Sequence, residues 1–280
     1  MNVSTDASVL SVQEKMDLTP VISIEHLSVS FDGFKAVNDV TTDIMPYSVH
    51  FFIGPNGAGK TTLLDMICGK TKPTEGKIIY HGGTDFGNKQ DINIDLTKMR
   101  EFEIVREGIG RKFQAPSVYG SLTVYENMEL SLKGDKSVIR SLFFKASDFQ
   151  VKKIEEILRM VELLDKKDEK ASGLSHGQKQ WLEIAMLLVL EPQVVLLDEP
   201  VAGMGKAETE KTALIIKKIA RQYAVVVVEH DMEFVRKTAD IVTVMHEGKI
   251  LREGIADEVL ADETVKAVYL GRGKFHKSGL

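Results

Sequence analysis

Only one cysteine, Cys68, occurs in the 280 residues. That excludes an intrachain disulfide and a cysteine-cluster metal site. Its place in the apolar stretch Leu63-Leu64-Asp65-Met66-Ile67-Cys68 makes it a small packed side chain. Long apolar runs are also missing. Those present, such as Tyr223 to Val228, fall far short of the roughly 20 residues a membrane span needs. Met1 to Asp17 is polar and mixed, without the pattern of a secretory signal. The expected location is therefore cytoplasmic, with any membrane association made through a partner. Nor is there an excess of positive charge: 36 basic against 41 acidic residues give a formal charge of −5. Such a balance gives no support to general nucleic-acid binding. Internal repeats and low-complexity tracts are absent. What remains is an apolar share of 43%, enough for a substantial core, at a length that suits one large domain or two small ones.

The most informative stretch is Gly54-Pro55-Asn56-Gly57-Ala58-Gly59-Lys60-Thr61-Thr62. Val49 to Ile53 before it reads as a buried strand, and Leu63 to Cys68 after it as a helix stopped by Gly69. Strand, glycine loop and helix form the context of a phosphate-binding P-loop. Glycines let the backbone turn tightly and bring its N–H groups close to an anion. The helix N-terminus adds its positive end. Lys60 supplies a point charge for the β- and γ-phosphates of a nucleoside triphosphate, and Thr61 a hydroxyl for Mg²⁺.

A second stretch carries chemistry of its own. Val195-Leu196-Leu197-Asp198-Glu199 is an apolar strand ending in two carboxylates, at the end of the sheet where ligands bind in open α/β folds. Asp198 can hold Mg²⁺, directly or through water. Glu199 can orient or activate an attacking water, a role that contributes roughly 10²–10⁴-fold.

Taken in order, the chain reads as follows. Residues 1 to about 20 form a loose tail. Ile22 to Phe31 alternates apolar and polar as a half-buried strand; Asp32-Gly33 turns it into a second, Val37 to Met45, and this antiparallel pair is expected beside the P-loop strand. Gly76 to Tyr80 is another strand, closed by Gly82-Gly83. Residues 84 to 97 read as an exposed loop. Met99 to Glu107 reads as a helix leading to a short strand at Gly110 to Gln114. From Ala115 to about Ala171 helical spacing takes over, with Val151, Ile154, Ile157, Leu158, Val161 and Leu164 on one stripe. Lys166 to Lys170 reads as a solvated helix end or loop. Helices at Gln178 to Leu190, Ala207 to Arg221 and Met232 to Lys237 then alternate with strands at Val194 to Leu197, Ala224 to Val228 and Ile241 to Met245. A last strand, Lys249 to Arg252, follows a turn at Glu247-Gly248, and one or two helices end the chain over Asp257 to Leu270. The alternation implies a mostly parallel sheet covered on both faces.

Leu174-Ser175-His176-Gly177-Gln178 resembles the signature motif of ABC ATPases, with His176 where that family usually has glycine. It lies upstream of the Asp198 strand at the family's spacing. Gln114 resembles the family's Q-loop glutamine, His230 its switch histidine, and Phe31 the aromatic residue that stacks on adenine. The resemblance covers about residues 21 to 271. It implies an α/β P-loop ATPase domain with a mostly parallel core sheet, an antiparallel β subdomain, and an inserted α-helical subdomain at approximately 115 to 171. Tails would lie at 1 to 20 and 272 to 280. ATP and Mg²⁺ are the implied ligands. Residues 54 to 62 and Phe31 would bind ATP. Glu199, His230 and Gln114 would act in hydrolysis, and Thr61, Gln114 and Asp198 at the metal. Ser175, His176, Gly177 and Gln178 would act on ATP held by a partner, since in that family two ATPase domains close face to face around two nucleotides. Ser175 offers a hydroxyl for this, and Gly177 allows close approach of a helix N-terminus to a γ-phosphate. One departure is that Gly205 stands where the family's D-loop usually has aspartate.

The stretches around 137 to 149, Glu253-Gly254 and Tyr269-Leu270-Gly271 resemble the ATPases of branched-chain amino acid and amide importers. Ser175 to Ile184 and Glu199 to Met204 are most similar to the urea importer ATPases of that group, with Trp181 serving recognition only. The function implied is an ATP-hydrolysing subunit powering an importer for urea or short amides. It would be peripheral on the inner face of the cell membrane through transmembrane permease subunits. A second ATPase, preferably a different chain, would complete the pair, and a solute-binding protein would act indirectly. The alternatives are a branched-chain amino acid importer ATPase and a soluble ABC protein of translation or DNA maintenance. The soluble proteins usually carry two cassettes or a long coiled coil, and neither is present. A kinase or GTPase is a further P-loop class, but the Ser175 motif and the helical insert argue against it.

Overall fold

A computed structural model of the chain describes residues 10–82, 92–112, 118–132 and 147–270. Its centre is a six-stranded sheet. β1 (Ile22–Phe31) and β2 (Phe34–Ile44) precede the P-loop strand, β3 (Val49–Ile53). The helix after the glycine loop is α2 (Lys60–Ile67), counting the short Val12–Met16 as α1. Then come β4 (Glu75–Gly82), β5 (Ile92–Asp95), α3 (Glu101–Arg106) and β6 (Ile109–Lys112). The helices α4 (Val124–Ser131), α5 (Asp148–Met160) and α6 (His176–Leu188) follow. The chain closes with β7 (Val194–Asp198), α7 (Lys206–Ile219), β8 (Ala224–Val228), α8 (Met232–Thr238), β9 (Ile241–His246), β10 (Lys249–Ile255), α9 (Ala256–Ala261) and α10 (Glu263–Leu270).

The central sheet runs β10-β9-β3-β8-β7-β6. β9, β3, β8, β7 and β6 pair in parallel, and β10 returns antiparallel on β9. Every residue of β3, β7 and β8 is buried, which explains their unbroken apolar character: a strand covered on both faces has no side for polar residues. Successive residues serve opposite faces. Phe51, Val195, Leu197, Val225 and Val227 join α4, α5 and α6 in one core. Phe52, Val194, Leu196, Val226 and Val228 join α2 and the antiparallel sheet in the other.

The antiparallel strands differ from the expectation. β1 and β2 do not extend the sheet of the P-loop strand. They belong to a separate four-stranded sheet, β2-β1-β4-β5, that stacks on it through the second core. The expected exposed loop at 84 to 97 is also corrected in part. Residues 92–95 form β5, paired to β4 from Gly82↔Ile92 to Ile79↔Asp95, and Leu96 is fully buried. Only Ile92, Ile94 and Leu96 carry the alternation there, too short a signal among polar neighbours. Residues 83–91 of that stretch lie outside the described residues. The loose tail expected through residue 20 instead contains α1, capped by Ser11 and tied down by an ion pair from Lys15 to Asp240 at 3.1 Å. α6 starts two residues before the expected Gln178 because Ser175 caps it. In the stretch expected to be helical, the described part carries α4 and α5, both opened by capping boxes at Thr123 and Ser147.

Candidate active site

The strand register builds the site. Phe52 of β3 lies opposite Val228 of β8, and Val228 lies opposite Asp198 of β7. The three strands therefore end in one row. The glycine loop, Glu229-His230 and Asp198-Glu199 leave the same edge of the sheet, within about 10 Å, or two strand spacings.

The glycine loop is wound tightly by positive φ at Gly54, Gly57 and Gly59 (149°, 80° and 100°). A Cβ on Gly54 would stand 2.2 Å from the Met245 carbonyl oxygen, and one on Gly59 2.4 Å from that of Ala36. Only glycine fits at these two positions. Gly59 is the N-cap of α2 and gives no side-chain cap. The first N–H groups of the helix thus remain available to an anion. Lys60 is folded back into the loop, donating to the Gly54 carbonyl at 2.8 Å and the Pro55 carbonyl at 3.0 Å. Burial lowers its pKa, while Glu199 and Asp198 pull the other way. An ammonium hydrogen-bonded, among the described residues, to two carbonyls suits a strongly anionic ligand.

Asp198 is almost fully buried, and its Oδ2 accepts from Arg111 Nη2 at 3.0 Å. Its Oδ1 is buried, without a hydrogen-bond partner among the described residues. Burial raises its pKa, with Arg111 opposing. Arg111 also donates to Asp65 of α2 and, at 3.3 Å, to Cys68 Sγ. The guanidinium thus joins the P-loop helix to the Asp198 strand. Among the described residues no three His, Cys, Asp or Glu side chains gather as a metal cage. The orphaned Asp198 oxygen and the exposed Thr61 hydroxyl fit Mg²⁺, which usually takes one or two protein oxygens and completes its shell with phosphate and water.

Glu199 has φ of 47°, an uncommon left-handed turn for a non-glycine residue, which bends the chain directly after Asp198. Its N–H donates to the Val228 carbonyl at 2.9 Å. Its Oε1 lies 3.6 Å from His230 Nδ1. Beneath both, the buried Glu229 accepts from the Val201 N–H at 3.2 Å and from the His230 N–H at 3.0 Å. Glu229 therefore clamps the two loops that carry Glu199 and His230, and burial raises its pKa.

Ser175 caps α6: its Oγ accepts the Gln178 N–H at 3.2 Å, and Gln178 Oε1 accepts the Ser175 N–H at 3.0 Å. His176, which departs from the usual glycine, bonds the Ala202 carbonyl at 3.1 Å through Nε2. Among the described residues, the side-chain bonds of this motif go to Gln178, Gln180, Ala202 and Glu208, and none to the glycine loop. Phe31 ends β1 about half exposed, opposite the still more exposed Phe34. The hairpin they close leads to Ala36 and Val37, which abut Gly59. Gln114 lies outside the described residues.

Three residues, two at the site and one beside the Ser175 motif, escape motif reading. Arg111, Glu229 and Glu208 belong to no fixed pattern, and the partners of Arg111 stand 46 and 87 positions away. The one available signal was charge in buried places: Arg111 in a short strand, and Glu229 directly after an all-valine run.

A family model described as ABC transporter matches residues 37–202. The high-affinity branched-chain amino acid transport ATP-binding protein LivG of Escherichia coli (strain K12) is 30% identical over 261 residues, covering 90% of this chain and 98% of its own. The probable branched-chain amino acid transport ATP-binding protein LivG of Archaeoglobus fulgidus is 31% identical over 258 residues, covering 90% and 95%. Among solved structures, the ADP conformation of MJ1267, an ATP-binding cassette of an ABC transporter, superposes with a TM-score of 0.75 at 30% identity, covering 90% of this chain and 99% of that one.

Proposed function

The chain belongs to the ABC transporter family as an ATP-binding, ATP-hydrolysing subunit using Mg²⁺, and from that premise we propose that it powers an importer of urea or short amides. The observation that carries the energising role is the row Phe52–Val228–Asp198, which gathers glycine loop, paired carboxylates and His230 on one edge. In this reading residues 54–62 wrap the triphosphate. Lys60 exchanges its two carbonyls for β- and γ-oxygens, and Phe31 stacks on the adenine. Thr61, Asp198 and Gln114 hold Mg²⁺, whose charge would balance that developing on the phosphates. Glu199 orients the attacking water and accepts its proton. His230 stands beside it on the γ-phosphate side, and Gln114 assists at the same phosphate. Ser175, His176, Gly177 and Gln178 complete the site of a second ATPase, preferably a different chain. The domain spans 21–271, with the helical subdomain at about 115–171.

Among the described residues no helix is long and apolar enough to cross a membrane. Attachment to the inner face of the cell membrane is proposed through permease subunits, with a solute-binding protein acting on their far side. Urea rests on the likeness of Ser175–Ile184 and Glu199–Met204 to urea importer ATPases. A branched-chain amino acid importer is the second reading, favoured by the names of the LivG relatives. Reconstituting the chain with its co-encoded permease, ATPase and binding protein in liposomes separates them. ATP-driven uptake of urea or short amides supports the first, and uptake of leucine, isoleucine or valine alone moves the assignment to the second. A reconstituted complex that takes up none of these solutes contradicts both readings.

A further inference from the structure

The donors proposed to meet a partner's phosphate already hold an anion. Glu208, in the first turn of α7, has its Oε1 2.7 Å from Ser175 Oγ, which donates to it. The Gly177 backbone N–H also favours the charged form of the same carboxylate. A Cβ at Gly177 would fall 2.6 Å from Glu208 Cδ, so glycine there is what admits the carboxylate. The Gly205 N–H donates to Oε2 at 3.4 Å. Together these contacts hold Glu208 below the usual carboxylate range, with the Ser175 hydroxyl contributing most. Ser175 and His176 are exposed, so the place is open to another molecule.

A carboxylate and a terminal phosphoryl group want the same donors, and two anions a few ångströms apart repel. Both cannot sit on Ser175 Oγ and the Gly177 N–H. We propose that Glu208 is a built-in stand-in for the γ-phosphate: it occupies the Ser175–Gly177 donors in the unpaired chain and must swing aside before a partner's ATP can take them. Glu208 thereby sets the ATP concentration at which two ATPases close. The inference rests on the shared-site reading above. It also gives His176 a place, since its bond to the Ala202 carbonyl and the Ser175–Glu208 bond both tie the start of α6 to the segment between β7 and α7.

The test uses the full chain carrying Glu199→Gln, which slows hydrolysis and traps the closed pair, with or without Glu208→Gln or Glu208→Ala. Association with itself and with the co-encoded second ATPase is followed by analytical ultracentrifugation across an ATP series. Binding of ATP to the unpaired chain is measured alongside, and thermal melting checks that each variant is folded. Glu208→Gln keeps the side chain's length and an acceptor oxygen while removing the charge. The half-saturating ATP concentration for pairing should fall roughly two- to tenfold, the range of an exposed charge-assisted contact, while ATP affinity of the unpaired chain stays the same. Unchanged or weakened pairing in folded Glu208→Gln overturns the stand-in role; weakening would mean that Glu208 organises the donors for the phosphate. If ATP drives no pairing with Glu208 either intact or replaced, the shared-site reading falls and this inference with it.

Discussion

In the proposed site Lys60 would serve binding and Glu199 turnover. The Lys60 ammonium, parked on two carbonyls and partly desolvated, gains most from two phosphates. Lys60→Ala should abolish tight ATP binding in calorimetry, and wild-type affinity together with wild-type hydrolysis would remove the P-loop assignment. Glu199 is turned by its φ of 47° toward His230 and away from the fully buried strand. Glu199→Gln should leave ATP binding intact and slow hydrolysis by at least about 10²-fold in the assembled complex. A mutant that turns over at the wild-type rate would show that another group takes the proton. The placement of both residues at one sheet edge was legible in the sequence, because the proposed phosphate binding and water activation demand fixed residue types at fixed spacings. Arg111 was not. Its value comes from Asp65 and Asp198 meeting around it, and only the fold brings them there.

At the scale of strands and helices, the buried parallel core was legible from unbroken apolar runs and the helices from their stripe. The partition into two sheets was legible only through the resemblance, which implied an antiparallel β subdomain; alternation alone says that β1 and β2 are half-buried but not against what. β5 was missed since four residues carry too little pattern. A polar network links the two sheets. His50, fully buried in β3 and stacked on Phe52 at 4.7 Å, bonds Thr243 Oγ1 at 2.6 Å. Thr243 and Thr42 both donate to Glu253, so β3, β9, β10 and β2 are joined. Burial pushes His50 down to about 3 from its ordinary 6.5. Between those values the unfolded chain binds a proton that the folded chain refuses. His50 therefore costs no stability above about pH 6.5, and stability falls as pH drops below it. From pH 7.5 to 5.5 the loss through this group is about 1.4 kcal/mol. Burial moves Glu253 the other way, upward, so its protonated form favours the fold at low pH and the total slope is shallower than His50 alone would give. Urea unfolding at the two pH values should show His50→Gln losing about 1.4 kcal/mol less than the wild type. Equal losses would mean that His50 is protonated in the fold.

For the whole molecule, one chain carries one glycine loop and one Ser175 motif. The motif's hydroxyl is turned to Glu208 and not to the chain's own loop. Without a second ATPase, the γ-phosphate would lack half its donors and water would stay in the site. Removing even one preorganised donor typically costs roughly 10²–10³-fold. The isolated chain should therefore be a weak ATPase. The most direct measurement is hydrolysis rate per chain against protein concentration, alone and then with the co-encoded ATPase and permease. The shared-site account predicts a low rate that climbs with concentration and rises by about 10²-fold or more in the complex. A full rate from the isolated chain, the same at every concentration and unmoved by the partners, would contradict it.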